Sequence, residues 1–272
     1  MKKILCPVDF SETSQNAIAY AAKFSKTTGS MLTLLNIQPT GSPLNEPNQK
    51  LVLDAVTERL DQLQREVQQF FKISCLAEVV LSASLISDVI AQHAAGFNMV
   101  IMGTGGVKDI MEFFTGSKTY NAIHKSKIPF ILVPSDCIYS EIKNIAYAFN
   151  YLDQRNLPLK QLVPWIKSLQ CSLTVLQANE DTVSQDVIEE MKELQYIISE
   201  KWKNEMIDIH FDTIKSSEIA SGLNSYVLRN ESDILALCTV HRNFIQQLFH
   251  KSVIKTITGI SSYPVLVFHE DD

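Results

Sequence analysis

The chain is predicted to be an α/β protein built as two tandem, doubly wound domains, each with a five-stranded parallel sheet. Two observations predict it. Short apolar runs alternate with helical patterns through the first 134 residues, as successive βαβ units require. The pattern then starts again, with Ile145-Ala-Tyr-Ala-Phe-Asn150 paralleling Ile4-Leu-Cys-Pro-Val-Asp9. A third observation concerns function: a Gly-rich stretch follows the fourth strand, on the side where open parallel sheets take ligands.

In chain order, Lys3 to Val8 reads as the first strand, with Asp9 at its carboxyl end and a helix beginning at about Ser11 and running to about residue 28. Further strands are expected near 31–37, 75–81, 98–103 and 129–134. The helical patterns between them fall near 48–72, 84–95 and 117–126. Met99-Val-Ile-Met102 has the continuous apolar character of a strand buried on both faces. Ile131-Leu-Val-Pro134 closes the first unit and residues 135–140 form a short linker, which gives domains at 1–137 and 141–272. In the second unit Ser172-Leu-Thr-Val-Leu176 parallels Met31-Leu-Thr-Leu-Leu35, and Tyr263-Pro-Val-Leu-Val-Phe268 parallels Ile128-Pro-Phe-Ile-Leu-Val133. The offset between copies is 150 − 9 = 141 early and 238 − 103 = 135 late, a drift that loop lengths account for.

Composition narrows the function classes. A chain of 272 residues, 46% hydrophobic and 20% charged, has ordinary globular usage and room for two domains. The five cysteines are scattered in apolar runs without metal-ligand spacing, so reduced, buried thiols are expected and a zinc site is not. Asp9 follows the initial apolar residues too early for a signal peptide, and no apolar run reaches the roughly 18 residues of a membrane span. A cytoplasmic protein without a membrane partner is the expectation. Net charge is −6 with no basic stripe, which speaks against nucleic acid as a partner.

The Gly-rich stretch reads Gly103-Thr-Gly-Gly106, nine residues, then Gly116-Ser117-Lys118. Glycines let a backbone turn sharply and approach a ligand, and a Gly-Ser helix start points its first amides at an anion. Neither a Walker loop nor a dinucleotide fingerprint has this spacing. Gly-x2-Gly-x9-Gly-Ser instead resembles the ATP-binding loop of universal stress proteins, and Pro7-Val8-Asp9 resembles the end of that family's opening strand. The resemblance implies a Rossmann-like fold of the adenine-nucleotide α-hydrolase type. It further implies ATP as ligand, with AMP or ADP as alternatives and Mg able to accompany ATP. It also implies pairing of the final strands of two units, here an internal pseudo-dimer, with a further homodimer open.

By the same resemblance, Asp9 would contact the nucleoside, with Pro7 stiffening the wall beside the base and Val8 and Ile37 flanking the adenine. Met102, Gly103 and Gly106 would cradle ribose and phosphates, and Gly116, Ser117 and Lys118 would face the phosphates. Plainer readings stand beside these: Asp9 as a helix cap, Pro7 as an ordinary strand-end proline, and Val8 and Ile37 as core. The sequence departs from the family at Val107, where a basic residue is usual, although Lys108 and Lys118 are near. Ile110, Met111, Phe113 and Phe114 are expected to bury under the loop, with an interface role as the alternative.

The second copy lacks the motif chemistry, so a non-binding structural repeat is expected, with a new site using His241, Cys238 and Lys251 as the alternative. Cys238, His241 and Lys251 fall where the first copy has Gly103, Gly106 and Gly116, with only Ser252 retained, and Asn150 and Ala148 replace Asp9 and Pro7. A β-carbon at a left-handed position costs about 1–2 kcal/mol and fills space that a phosphate would use. No Ser-Gly-Gly-x-Asp-Ser or His-x-Gly-His motif and no acidic cluster points to an enzyme. The expectation is a nucleotide-binding regulatory protein with at most weak ATPase activity and no assigned catalytic residue. An interaction module with an empty loop, and an enzyme on a related fold, are the alternatives.

Overall fold

The computed structural model describes residues 1–40, 46–104, 123, 126–149, 159–179, 185–239 and 262–269. The chain divides into two compact units, Met1–Tyr139 and Ser140–Asp272. In the first, the order is β1 (Lys3–Pro7), α1 (Glu12–Thr28), β2 (Met31–Pro39), α2 (Glu46–Phe71), β3 (Cys75–Ser82), α3 (Ile86–Ala94), β4 (Met99–Thr104) and β5 (Phe130–Pro134). The sheet order is β3-β2-β1-β4-β5, with the paired strands parallel. From β1 the chain winds outward to β3, then crosses back to β4 and β5. The order therefore reverses between β1 and β4, and that is the switch point of a doubly wound sheet.

The apolar runs explain the strands. All five residues of β5 are buried, as is the Ile4-Leu5-Cys6 stretch of β1, because helices cover both faces of a parallel sheet. Helix α1 presents Ala17, Ile18, Ala21, Ala22 and Phe24 to the core at helical spacing. Its start is capped by Ser11, whose Oγ accepts from the Ser14 N–H at 3.2 Å. It ends at Gly29, whose φ of 64° is the left-handed conformation of a C-cap.

The second unit contains β6 (Asn144–Phe149), α4 (Val163–Leu169), β7 (Ser172–Asn179), α5 (Gln185–Trp202), β8 (Ile209–Lys215), α6 (Ile219–Arg229), β9 (Ile234–Thr239) and β10 (Val265–His269). Two single 3-10 turns, Leu159–Gln161 and Lys203–Glu205, flank α4 and α5. Its sheet runs β10-β9-β6-β7-β8, again with parallel pairs. The correspondence with the first unit extends to single hydrogen bonds. Lys3 N–H donates to Asn98 Oδ1 at 2.8 Å, and at the matching place Asn144 N–H donates to Asp233 Oδ2 at 3.0 Å. Gln170 takes the left-handed C-cap role of Gly29, with φ 55°.

Residues after β5 are tied to the first unit. Asn16 Nδ2 donates to the carbonyls of Pro134 and Cys137, each at 2.9 Å. Tyr139 packs edge-on against Tyr20 with ring centroids 5.0 Å apart, and its hydroxyl shares a hydrogen bond with Thr27. The segment expected as a plain linker is thus anchored along α1 up to Tyr139. All five cysteines are buried and none is in a disulfide. No helix among the described residues is long and apolar enough to cross a membrane.

Candidate functional site

The carboxyl ends of β1, β2 and β4 bring together six of the residues singled out in the sequence. Pro7 ends β1, Val8 and Asp9 follow it, Ile37 lies near the end of β2, and Met102 and Gly103 lie near the end of β4. Pro7, Ile37, Met102 and Gly103 are half-buried, Val8 is buried and Asp9 is exposed. Gly106, Gly116, Ser117 and Lys118 lie outside the described residues, as do Val107, Lys108 and the apolar residues of the insert.

The backbone opens at this point. β1 pairs with β2 over five residues, from Lys3↔Met31 to Pro7↔Leu35, but with β4 only at Ile4↔Met99 and Leu5↔Val100. Beyond those pairs Gly103 comes up against the first turn of α1. A β-carbon there would stand 2.6 Å from the Thr13 carbonyl oxygen and 2.8 Å from Thr13 Cγ2. Gly103 is thus required by the approach of a strand end to a helix start, a packing reason that motif spacing alone does not reveal. Thr104 closes the strand by donating from Oγ1 to the Val133 carbonyl at 3.3 Å.

Asp9 is not the helix cap, which is Ser11. Its carboxylate holds the cap instead: Oδ1 accepts from Ser11 Oγ at 2.6 Å and from Ser11 N–H at 3.0 Å. The Asp9 N–H in turn donates to Ser14 Oγ at 3.4 Å. Among the described residues Oδ2 takes no hydrogen bond, so an exposed anionic acceptor stands at the mouth of the switch point. Acceptors of this kind suit ligand hydroxyl and amino groups.

One contributor escaped the sequence reading. Asn36, 2% exposed within an apolar strand, donates from Nδ2 to the Val8 carbonyl at 2.7 Å, and Gln38 Nε2 donates to Asn36 Oδ1 at 2.6 Å. This chain of amides fixes the end of β1 where its ladder with β4 has stopped. The signal was present as a polar residue inside Leu34-Leu-Asn-Ile37, since a buried amide must be satisfied.

The second unit closes the same place. β6 and β9 pair at Ile145↔Ile234 and Ala146↔Leu235, matching the first unit, and then continue through Tyr147↔Ala236 and Ala148↔Leu237. Tyr147 packs on Phe268 and Phe149 at centroid distances of 5.2 and 6.0 Å, where the first unit has Cys6, Val133 and Val8. Cys238, the counterpart of Gly103, is 7% exposed. Asn150, His241, Lys251 and Ser252 lie outside the described residues.

Residues 1–134 match the model of the universal stress protein family. Those residues form a universal stress protein domain. A universal stress protein of Methanocaldococcus jannaschii is 25% identical over 155 residues, covering 48% of this chain and 94% of that protein. The crystal structure of a universal stress protein from Archaeoglobus fulgidus DSM 4304 is similar in fold across both units. It has a TM-score of 0.77 and 15% identity, with 99% of this chain and 98% of that one covered. A functionally unknown protein from Pseudomonas aeruginosa PAO1 is similar with a TM-score of 0.59 and 13% identity, covering 100% of this chain and 94% of that one. The universal stress protein domain and the parallel α/β architecture expected from the sequence are both present.

Proposed function

We propose that the chain is a nucleotide-binding regulatory protein of the stress response, holding one adenine nucleotide in its first repeat. The observation that carries this reading is the open switch point between β1 and β4, with the exposed Asp9 carboxylate at its mouth. The strand on its far side runs directly into the Gly-x2-Gly-x9-Gly-Ser stretch. Pro7, Ile37 and Met102 would supply apolar walls to a base and Asp9 an acceptor to the nucleoside. Gly106, Gly116, Ser117 and Lys118 would take the phosphates through backbone amides, a hydroxyl and a cation. ATP with Mg is the ligand proposed, because Lys108 and Lys118 of the sequence would offer the outer phosphates partners that AMP would leave unused. The site is read as one for binding, with any hydrolysis slow.

The contrast with the second repeat supports the assignment to the first. There the ladder is two pairs longer, aromatic side chains fill the strand ends and a buried thiol replaces the packing glycine. In this reading the second repeat has a structural role, as the first one's partner. Mass spectrometry of small molecules released when the purified protein is denatured tests the proposal. ATP, ADP or AMP in about molar proportion supports it. An empty protein that also ignores added nucleotide would instead favour an interaction module whose loop is folded but vacant.

A further inference from the structure

Phe10 adopts a backbone conformation that its side chain disfavours. Its φ is 64°, in the left-handed region that bulky L-residues avoid because the β-carbon crowds the backbone. Among the described residues four other non-glycines share this region: Lys72, Gln170, Met206 and Glu231. Each of those lies at the end of a helix or just after it, where a left-handed residue is an ordinary way to stop. Phe10 alone stands before a helix, between the Asp9 carboxylate and the Ser11 cap. Strain of this kind persists only where its surroundings enforce it, and it concentrates at sites that must be held in one geometry.

The enforcing contacts come from two sides. On one, Asp9 and Ser11 lock together through the Ser11 N–H and hydroxyl, and the Asp9 N–H reaches Ser14. On the other, the guanidinium of Arg59 lies over the Phe10 ring, 4.2 Å from its centroid. Arg59 belongs to α2, and the ring lies in a groove of about 560 Å³ between α1 and α2, beside Gln15, Ile18, Leu63 and Phe70. Phe10 thus sits between a helix–helix groove and the mouth of the switch point.

We propose that Arg59 and Phe10 are a positioning pair: the guanidinium pins the ring, the pinned ring holds residue 10 left-handed, and that turn aims the Asp9 carboxylate at the nucleotide. The inference rests on the nucleotide-binding reading of the preceding subsection and adds to it a residue on α2, fifty positions further along the chain than Asp9. Without the guanidinium, Phe10 can relax toward negative φ and carry Asp9 with it. Affinity then falls through lost pre-organisation, although neither side chain of the pair needs to touch the ligand.

Calorimetric titration of ATP and of adenosine into the full chain tests the pair, with thermal melting in parallel. Arg59→Met and Phe10→Ala, the latter keeping the β-carbon that disfavours a left-handed turn while losing the ring, should each weaken both ligands by roughly two- to fivefold, the range of an exposed cation–π contact. Arg59→Lys and Phe10→Tyr, which keep a cation and a ring, should lie between those variants and the parent. The double variant Arg59→Met/Phe10→Ala should be no weaker than the worse single one, since the two act as a unit. Unchanged affinity in Arg59→Met and Phe10→Ala, even with a lowered melting temperature, would show a purely structural contact and overturn the pairing. Additive losses in the double variant would overturn it as well. A parent protein that binds neither ligand would instead refute the nucleotide site itself, and the pair's role with it. Should Phe10→Ala not fold, the Arg59 variants, altered at an exposed side chain, decide alone.

Discussion

Gly103→Ala is the most discriminating single substitution, because the structure separates its packing role from any ligand role. The added methyl would sit 2.6 Å from the Thr13 carbonyl oxygen and 3.0 Å from the Thr13 carbonyl carbon. Both are backbone atoms in the first turn of α1, so no side-chain rotation can relieve the clash. Either β4 or the start of α1 must move. Overpacking of this kind costs about 1–3 kcal/mol, which for a unit of this size corresponds to roughly 3–10 °C in melting temperature. Gly96→Ala is the control. A methyl there meets only the His93 carbonyl oxygen at 3.6 Å, an ordinary contact, and should change stability by less than about 0.5 kcal/mol. Urea and thermal denaturation of the two variants, followed by circular dichroism, give the comparison. A Gly103→Ala protein as stable as Gly96→Ala would refute the claim that this glycine exists for the approach of β4 to α1. Loss of nucleotide affinity in Gly103→Ala is expected too, but it would follow from the shifted helix start as much as from a blocked phosphate.

Asp9→Asn keeps an oxygen for Ser11 and removes the charge, so it should weaken ATP and adenosine by similar factors, of about 1.5–3 kcal/mol, with little change in stability. Asp9→Ala should lose that affinity and also about 0.5–2 kcal/mol of stability through the unsupported Ser11 cap, and unaltered binding in both variants would remove Asp9 from the site. Cys238→Gly should leave calorimetric stoichiometry at one site per chain, because the extended β6–β9 ladder remains, and a second site would show that the thiol alone had closed it. Burial pushes the thiols of Cys75 and Cys171 up to about 12 and that of Cys137 to about 11, from a usual value near 9. A raised acid pKa means stability is intact below the unfolded value and lost as pH climbs toward the folded one. The unfolding free energy should therefore fall between about pH 9 and 12, and a thiol-specific disulfide reagent at pH 8 should label the protein only at its unfolding rate. A flat alkaline profile or immediate labelling would contradict the buried, protonated state. Residues 1–137 expressed alone should self-associate or aggregate, as an uncovered terminal strand predicts, and a soluble monomer as stable as the whole chain would refute a structural role for the second repeat.

The strands and helices of the first unit were legible because parallel, doubly covered strands write themselves as continuous apolar runs, and because Gly29 and Ser11 punctuate α1. The repeat was legible for the same reason, down to the offsets that place Asn98 and Asp233 on equivalent backbone amides. What escaped depends on contacts between distant residues. Nothing local to Phe10 predicts a left-handed aromatic, and nothing in α2 marks Arg59 as its cover. By sequence Gly103 reads as a loop glycine, whereas its space is taken by Thr13, ninety positions earlier. Whether β1 and β4 stay paired or part was partly legible: Pro7 has no N–H to give the ladder, and since the Val8 N–H faces β2 the missing donor is on the β4 side, whereas Ala148 keeps its amide and its ladder continues. The aromatic contacts that fill the closed end were not legible, since Cys6-Pro7-Val8 and Tyr147-Ala148-Phe149 are both apolar strand ends. Asn36 could have been found, because a polar side chain inside an apolar strand asks for a buried partner, and Val8 provides it.

Titration of ATP with Mg into the full-length protein, stripped of any co-purified ligand, tests the central claim most directly. One site per chain, abolished by Gly116→Val and unaffected by Lys251→Ala, is the predicted result. Two equivalent sites, or no heat and no melting-temperature shift at millimolar nucleotide, would contradict it.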